Sequence, residues 1–531
     1  MPPGSHIAAA ASRSWSLIAW KYARATVVGP LARGLDWLSG FVAASIASQP
    51  SAPDPGGSAG PEAGPPIGGS PRMGGKFQLR ARAGRLISVA VPVYRGKFGP
   101  KQAERLLWRA GFGPRPGEAR KLAHKGLKRA VLSMTRPKGR AKLIGPKPHV
   151  DDGLPLAPGD AWGHDHLWWL DRMVRSNQPL VERMTLVWHD WFATGDVGQD
   201  ALNLRQNELF RHKSMGSFRD LLVSVTRDPA MLVWLSGTEN TQWAPNENYA
   251  REVMELFTLG ADAGYTEKDV REQARSLTGW TNDWDENVGR NNFHYDLERH
   301  DPGRKKVFGQ SGKFDWRDSC DLCLNHPAHD DYLVRRLWSH FIPTRPPKKT
   351  LRQLKRIYRK KRRSIRPLLE AILMHPALYQ GPRMVKPPVV QIAGMLRARR
   401  EGVQRESWIW ISDDAGQRLF QPPNVAGWDE DRWLDTARVS GRWSAAANVV
   451  DGQRVDDDNY SETESAAKAV QKALRFWGNP TLTLQTEKEL LRFARRVEGA
   501  AEAEWQQGTY RGLRQNALRM LVATSPDLQT S

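Results

Sequence analysis

The residues able to do chemistry in this chain are histidines, carboxylates and arginines, and two segments concentrate them. Trp188-His189-Asp190-Trp191-Phe192 sets an imidazole beside a carboxylate inside an aromatic run. Pro245-Asn-Glu-Asn-Tyr-Ala-Arg-Glu-Val-Met-Glu-Leu-Phe-Thr-Leu-Gly260 carries Glu247, Arg251, Glu252 and Glu255 on a stretch with helical periodicity. Ala250, Val253, Met254, Leu256 and Phe257 form its apolar stripe, Asn246 can cap its first turn, and Gly260 ends it. On such a helix Arg251 is an i, i+4 neighbour of both Glu247 and Glu255, while Glu252 turns toward the apolar side. His189, Asp190, Glu252 and Glu255 are therefore candidate acid and base groups. Arg251, Asn246 and Asn248 are candidate binding groups. The same residue types also build internal Arg–Glu networks that hold helices in register without catalysing anything.

Other constellations are weaker. Asn292 to Gly309 alternates polar and apolar residues around a His-Asp-Pro-Gly turn and reads as a β-hairpin; His294, Asp296, His300 and Asp301 could converge on it. Cys320 and Cys323 form a lone C-x-x-C with no second pair, so burial on one helix face is the simpler account than zinc or redox chemistry. Twelve Lys/Arg residues and no acid lie between Arg345 and Arg366, among them Lys360, Lys361, Arg362 and Arg363. They mark a site for phosphate or an anionic polymer, or a solvated helix face. No H-E-x-x-H, G-x-S-x-G, P-loop or G-x-G-x-x-G element occurs, which excludes the standard zinc-protease, α/β-hydrolase, nucleotide-phosphate and dinucleotide readings. The motifs assign no metal ligand and no cofactor.

Helices must position these groups. Gln102 to Gly111, Pro179 to Phe192, and three helices between Asn203 and Leu235, broken near Gly216 and restarted by Pro229, follow the helical period. A helix capped by Thr266 and Asp269 follows the carboxylate-rich one and ends at Gly279. Further helices are read at 332–341, 365–379 and beyond 467. The predicted fold is mainly α, a multi-helix globular bundle with a short inserted β-hairpin near 292–309. Pro422-Pro-Asn-Val-Ala-Gly-Trp428 is a rigid aromatic turn, and Trp428 a candidate binding residue.

The net charge of +22 belongs to the front of the chain. Of 79 basic and 57 acidic residues, 25 and 5 fall in the first 150, a surplus of 20, and the other 54 and 52 nearly cancel. Residues 1–47 read as a basic and apolar leader, a signal or an amphipathic segment, with no run long enough for a membrane span. Residues 48–95 read as a Pro/Gly-rich linker and basic approach, 96–450 as the helical domain, and 451–531 as an acidic loop with C-terminal helices completing the bundle.

The two segments above, with Arg205-Gln-Asn-Glu-Leu-Phe-Arg211, Arg227-Asp-Pro-Ala-Met-Leu232, Tyr265-Thr-Glu-Lys-Asp-Val270 and the Pro422 to Trp428 turn, resemble in order the bacterial family catalogued as domain of unknown function 1800. The resemblance runs from about Ala103 to Asn448. It implies a helix-rich fold, frequent export, and no established reaction. The family often has a second histidine where this chain has Trp191, so a His-x-His metal pair is missing. The leading expectation is an envelope-associated partner or scaffold protein with an internal Arg/Glu/His cluster. The alternatives are a hydrolase- or lyase-type enzyme using His189 and Glu252 or Glu255, and a nucleic-acid or anionic-polymer binder, the last disfavoured.

Overall fold

The computed structural model describes residues 91–451, 463–501 and 508–531. The leader, the linker up to residue 90 and most of the acidic loop lie outside the described residues. Val91–Ser531 forms one compact unit.

Local signals account for most of the helices. Pro100–Arg109 (α1) starts on a proline and buries Ala103, Leu106 and Leu107. Glu118–Ala123 (α2), Leu127–Thr135 (α3) and His164–Arg175 (α4) follow. Pro179–Trp191 (α5) also has proline in its first turn, where the missing N–H costs nothing. Asp200–Lys213 (α6), Phe218–Thr226 (α7) and Pro229–Trp234 (α8) are the three helices broken near Gly216. Asp228 caps α8 by accepting from Met231 N at 3.1 Å. Glu247–Glu252 (α9) is capped by Asn246, whose Oδ1 accepts from Asn248 N at 2.9 Å. Val253–Leu259 then widens into a π-helix, and Glu267–Ser276 (α10) opens on the Thr266–Asp269 capping box.

Two small antiparallel hairpins interrupt the helices: Trp280–Asp285 (β1) with Gly289–Tyr295 (β2), and Lys305–Val307 (β3) with Gln310–Gly312 (β4). The stretch 292–309 is thus not one hairpin but the end of the first and the start of the second. The His-Asp-Pro-Gly segment links them because Asp301 is tied to Arg275 of α10 at 2.7 Å instead of turning a strand back on itself.

Trp316–Asn325 (α11), His329–Ser339 (α12), Lys348–Lys360 (α13), Ile365–Leu373 (α14) and Pro376–Gln380 (α15) complete the first half. Pro388–Arg399 (α16), Trp408–Asp414 (α17), Thr436–Asp451 (α18), Ala466–Phe476 (α19), Leu484–Ala501 (α20), Gly508–Thr524 (α21) and Pro526–Gln529 (α22) form the second. The fold is mainly α, as its periodicity requires, and no helix of the described residues is long and apolar enough to cross a membrane.

The apolar faces close into two large cores. One gathers α1, α5 and α7 with α11, α12 and α14 around Trp188, Trp191, Phe218 and Phe257. The other gathers α4, α16 and α18 with α19 and α21 around Trp169, Phe420 and Trp428. Helix α5 serves both, giving Met184, Val187 and Trp188 to the first and Leu186 to the second. Its C-terminal end lies where they meet, a common place for a site.

Candidate active site

Asp190 stands at that end of α5. The Pro422 to Trp428 turn reaches it by a local device: Trp428 N donates to Asp190 Oδ1 at 3.0 Å. Gly427 precedes this contact with φ of +94°, and a Cβ there would lie 2.4 Å from Asp190 Oδ1 and 2.7 Å from its carbonyl oxygen. Only glycine lets the turn close on the carboxylate. Two residues later Glu430 opens a 3₁₀ turn, Glu430–Arg432. His340, just past α12, completes the group, and one ligand-type atom from each of Asp190, His340 and Glu430 lies within 4.8 Å of the other two. These are the side chains among the described residues that could hold a metal ion.

The three do not hydrogen-bond one another. His340 Nδ1 and Glu430 Oε1 are 4.0 Å apart, beyond hydrogen-bond range. His340 is 8% exposed and its Nε2 is buried without a partner. Burial, then the charges of Arg336 and Arg183, push the imidazole down to about 3, so it is neutral at physiological pH. Burial, then the neighbouring Asp190, push Glu430 up to about 7. Its side chain nevertheless keeps 40% of its surface open, so it sits at the mouth of the cluster with one face in water. Asp190 is also raised by burial, against the opposing pull of Arg336, the Trp428 N–H and Arg183.

Two arginines flank the carboxylates. Arg183 lies two turns before Asp190 on the same face of α5; it is buried, with Nε and Nη1 unpartnered. Arg336 of α12 stacks on Trp191 at 4.5 Å and donates to the carbonyls of Leu256 and Asp190. The end of the π-helix thereby takes part: the carbonyls of Leu256, Phe257 and Thr258 lack helical partners and are taken by Tyr332, Trp191 Nε1 (3.0 Å) and His329 Nδ1 (3.0 Å). Trp191, where a second histidine was expected of the family, is thus a structural donor.

The other residues singled out in the sequence lie elsewhere. His189 is caged by Trp169, Phe420 and Trp428, with its Nε2 buried and unpartnered, and burial pushes it down to about 3. Trp428 is buried against that ring, so it acts as a packing residue. Glu252 has Glu255 and Arg251 as its charged neighbours, and burial followed by Glu255 raises it. Arg251 forks onto Glu267 at 2.9 and 2.7 Å and reaches Glu247 at 3.2 Å, all on the surface. Asn246 is a cap, and the Asn248 side chain is exposed.

In the basic run, Lys360, Lys361 and Arg362 are exposed, whereas Arg363 binds Leu324 O and Asn325 Oδ1, each at 2.9 Å. Asp330 and Asp331 of α12 pair with Arg359 and Lys355. Helix α13 buries Leu351, Leu354 and Tyr358 beneath this solvated basic face. Cys320 and Cys323 are buried free thiols pushed up to about 12 by burial, held by Thr226 and Gln273. His300 and Asp301 bind Thr278 and Arg275, and His294 turns to Asn292 O.

Residues 105–530 match the family model described as Protein of unknown function (DUF1800). The chain belongs to the DUF1800 family. The match takes in both halves of the fold and every residue of the Asp190 cluster, from Arg183 to Glu430. We found no curated protein and no solved structure significantly similar to this DUF1800 chain.

His340 and Glu430 have no short-range sequence signature. The available signals were a histidine inside the apolar run Leu337-Trp-Ser-His-Phe-Ile342 and an acid two residues beyond the Gly-Trp turn.

Proposed function

We propose that this protein is an acid–base enzyme of hydrolase or lyase type, centred on Asp190, Glu430 and His340. One observation carries the reading: three titratable side chains from distant segments face one another across gaps, unbonded, with one of them open to water. A carboxyl pair in unequal surroundings divides the labour. Asp190, held by the Trp428 N–H and faced by two arginines, is the base. Glu430, pushed up to about 7, carries the proton of the pair near neutrality and is the acid. Neutral His340 orients the reacting group by accepting a hydrogen bond. Arg183, with free N–H groups, fits a carboxylate or phosphate on the substrate.

The test is a panel of chromogenic esters, phosphoesters and glycosides offered to the parent, Asp190→Asn and Glu430→Gln. Turnover that falls about 100-fold in both variants, with folding retained, supports the reading. A panel that cannot tell the parent from either variant overturns it.

A second reading, an envelope-associated partner or scaffold, is favoured by a different surface. Gln242 is tied to Arg299 O at 2.8 Å and Glu298 O at 2.6 Å, and beside this junction Trp243 and Leu297 are 70% and 77% exposed. Exposed apolar groups on adjoining segments fit a partner. The double variant Trp243→Ser/Leu297→Ser should leave the envelope fraction on cell fractionation without a change in melting temperature. Parent and variant in the same fraction would count against it.

A further inference from the structure

We propose that Asp190, His340 and Glu430 are the protein ligands of one divalent transition-metal ion of the zinc, manganese or iron(II) class. The proposal deepens the enzymatic reading of the same site, since it names an ion that the acid–base pair would serve.

The spacing comes first. Donors bound to one ion at about 2.1 Å stand roughly 3 Å apart when adjacent and roughly 4.2 Å apart when opposite. The gap between His340 Nδ1 and Glu430 Oε1, 4.0 Å, falls in that range, and the whole set lies inside 4.8 Å, close enough for small side-chain shifts to gather it on one ion. The same gaps are too long for hydrogen bonds, so the groups are arranged around a common point and not on one another.

An independent observation points to a ligand. The His340 side chain is more than nine-tenths buried, makes no hydrogen bond, and faces the carboxylates. Nδ1 is the nitrogen turned toward Glu430 and has no hydrogen-bond partner, so a metal–nitrogen bond there would give the imidazole a partner, while Nε2 stays a buried atom without one. The carboxylate is prepared in the way metal ligands are: the Trp428 N–H fixes Asp190 Oδ1, and Gly427 leaves room for that contact.

Donor chemistry selects the ion. One imidazole with two carboxylates suits borderline ions, and too few oxygens converge for calcium, which takes six to eight. Glu430, at the open mouth, leaves coordination positions for water or substrate, as catalytic sites require. Two carboxylates balance the charge of the ion, and Arg183 and Arg336 then leave the site positive. Arg336 is already engaged with carbonyls and Trp191, so Arg183 is the group left to meet an anionic substrate.

The experiment uses the full chain, stripped with a chelator and titrated calorimetrically with Zn²⁺ and, separately, Mn²⁺. One equivalent should bind, and affinity should fall by at least about 10-fold in Asp190→Asn, His340→Gln and Glu430→Gln. Glu430 is partly exposed, so Glu430→Gln keeps the test valid even where His340→Gln fails to fold. Binding of Co²⁺ with visible absorption bands in the parent, and their loss in Glu430→Gln, is the second measurement. No stoichiometric uptake, or equal uptake by parent and Glu430→Gln, overturns the proposal. Turnover that survives stripping, with no ion taken up, overturns the metal site alone and leaves the acid–base reading standing. Uptake lost in Glu430→Gln with no turnover on any substrate sustains the metal site and counts against the enzyme.

Discussion

Two clusters of the same residue types sit in this molecule under opposite conditions. Around Arg251, the carboxylates of Glu247 and Glu267 bond directly to the guanidinium at the surface, where water satisfies whatever remains. Around Asp190, carboxylates, imidazole and Arg183 face each other at the seam of two cores without closing into pairs. A paired and solvated cluster has little left to offer a ligand. An unpaired one, buried except at its mouth, keeps its groups in reserve at a cost in stability, as functional sites do. The comparison locates function by satisfaction of polar groups, where residue type alone does not.

The most damaging way to break the contrast is Gly427→Ala. A methyl group would press on Asp190 Oδ1 and carbonyl at 2.4 and 2.7 Å, from a backbone with φ of +94°. Loss of about 2 to 3 kcal/mol is expected in denaturant unfolding. A glycine-to-alanine change with no loss would mean that the turn does not close on Asp190.

The next effect is in the sign of pH dependence. Glu430 is raised above its ordinary value of 4.5 to about 7, so its contribution is fully present below 4.5 and is lost as pH rises through 7. With a chelator present, Glu430→Gln should gain on the parent from pH 5 to pH 8, by about 1 kcal/mol after allowance for the exposed face. Glu267 is lowered by its bond to Arg251, so its contribution is present at neutral pH and lost as pH falls through the depressed value. Glu267→Gln should therefore trail the parent at pH 7 and draw level in acid. Melting curves at four pH values check both, and equal slopes would dissolve the distinction.

Arg251→Ala should matter less. The guanidinium and its partners are well exposed, and such pairs are worth about 0.5 kcal/mol. A loss of several kcal/mol on urea unfolding would show the surface network to be a structural clamp.

How far the two clusters were legible follows from the range of the forces that make them. The helices around Arg251 and its Glu247 pair were readable because caps, i, i+4 pairs and turn residues act within a few positions: Asn246, the Thr266–Asp269 box and Pro229 all do what their types suggest, whereas Glu267 takes the guanidinium in place of the expected Glu255. The π-helix at Val253–Leu259 was not, because Val253, Met254 and Phe257 give the same apolar stripe to either winding. The first hairpin was half missed because β1, Trp-Thr-Asn-Asp-Trp-Asp, lacks clean alternation and is bulged between Thr281 and Asp283. Asp190 was visible in its aromatic run. His340 and Glu430 were not, since only tertiary packing brings positions 190, 340 and 430 together.

The smallest effect is the most discriminating for Glu252. Placed beside arginine on a periodic helix, it reads as half of a buried ion pair, and breaking such a pair costs about 3 to 5 kcal/mol. In the structure Arg251 turns away to Glu247 and Glu267, and Glu252 has no ion pair or side-chain hydrogen bond among the described residues. Burial and the charge of Glu255 instead raise it, so ionisation at neutral pH is mildly unfavourable. Glu252→Gln removes that repulsion together with a smaller attraction to Arg251, and its melting temperature should match or slightly exceed the parent's, a change within about 0.5 kcal/mol. A sharp fall would restore Glu252 to a buried network and move the functional boundary between the clusters. A level or raised value keeps it on the solvated side, with Asp190 and its two distant partners as the groups left unpaired.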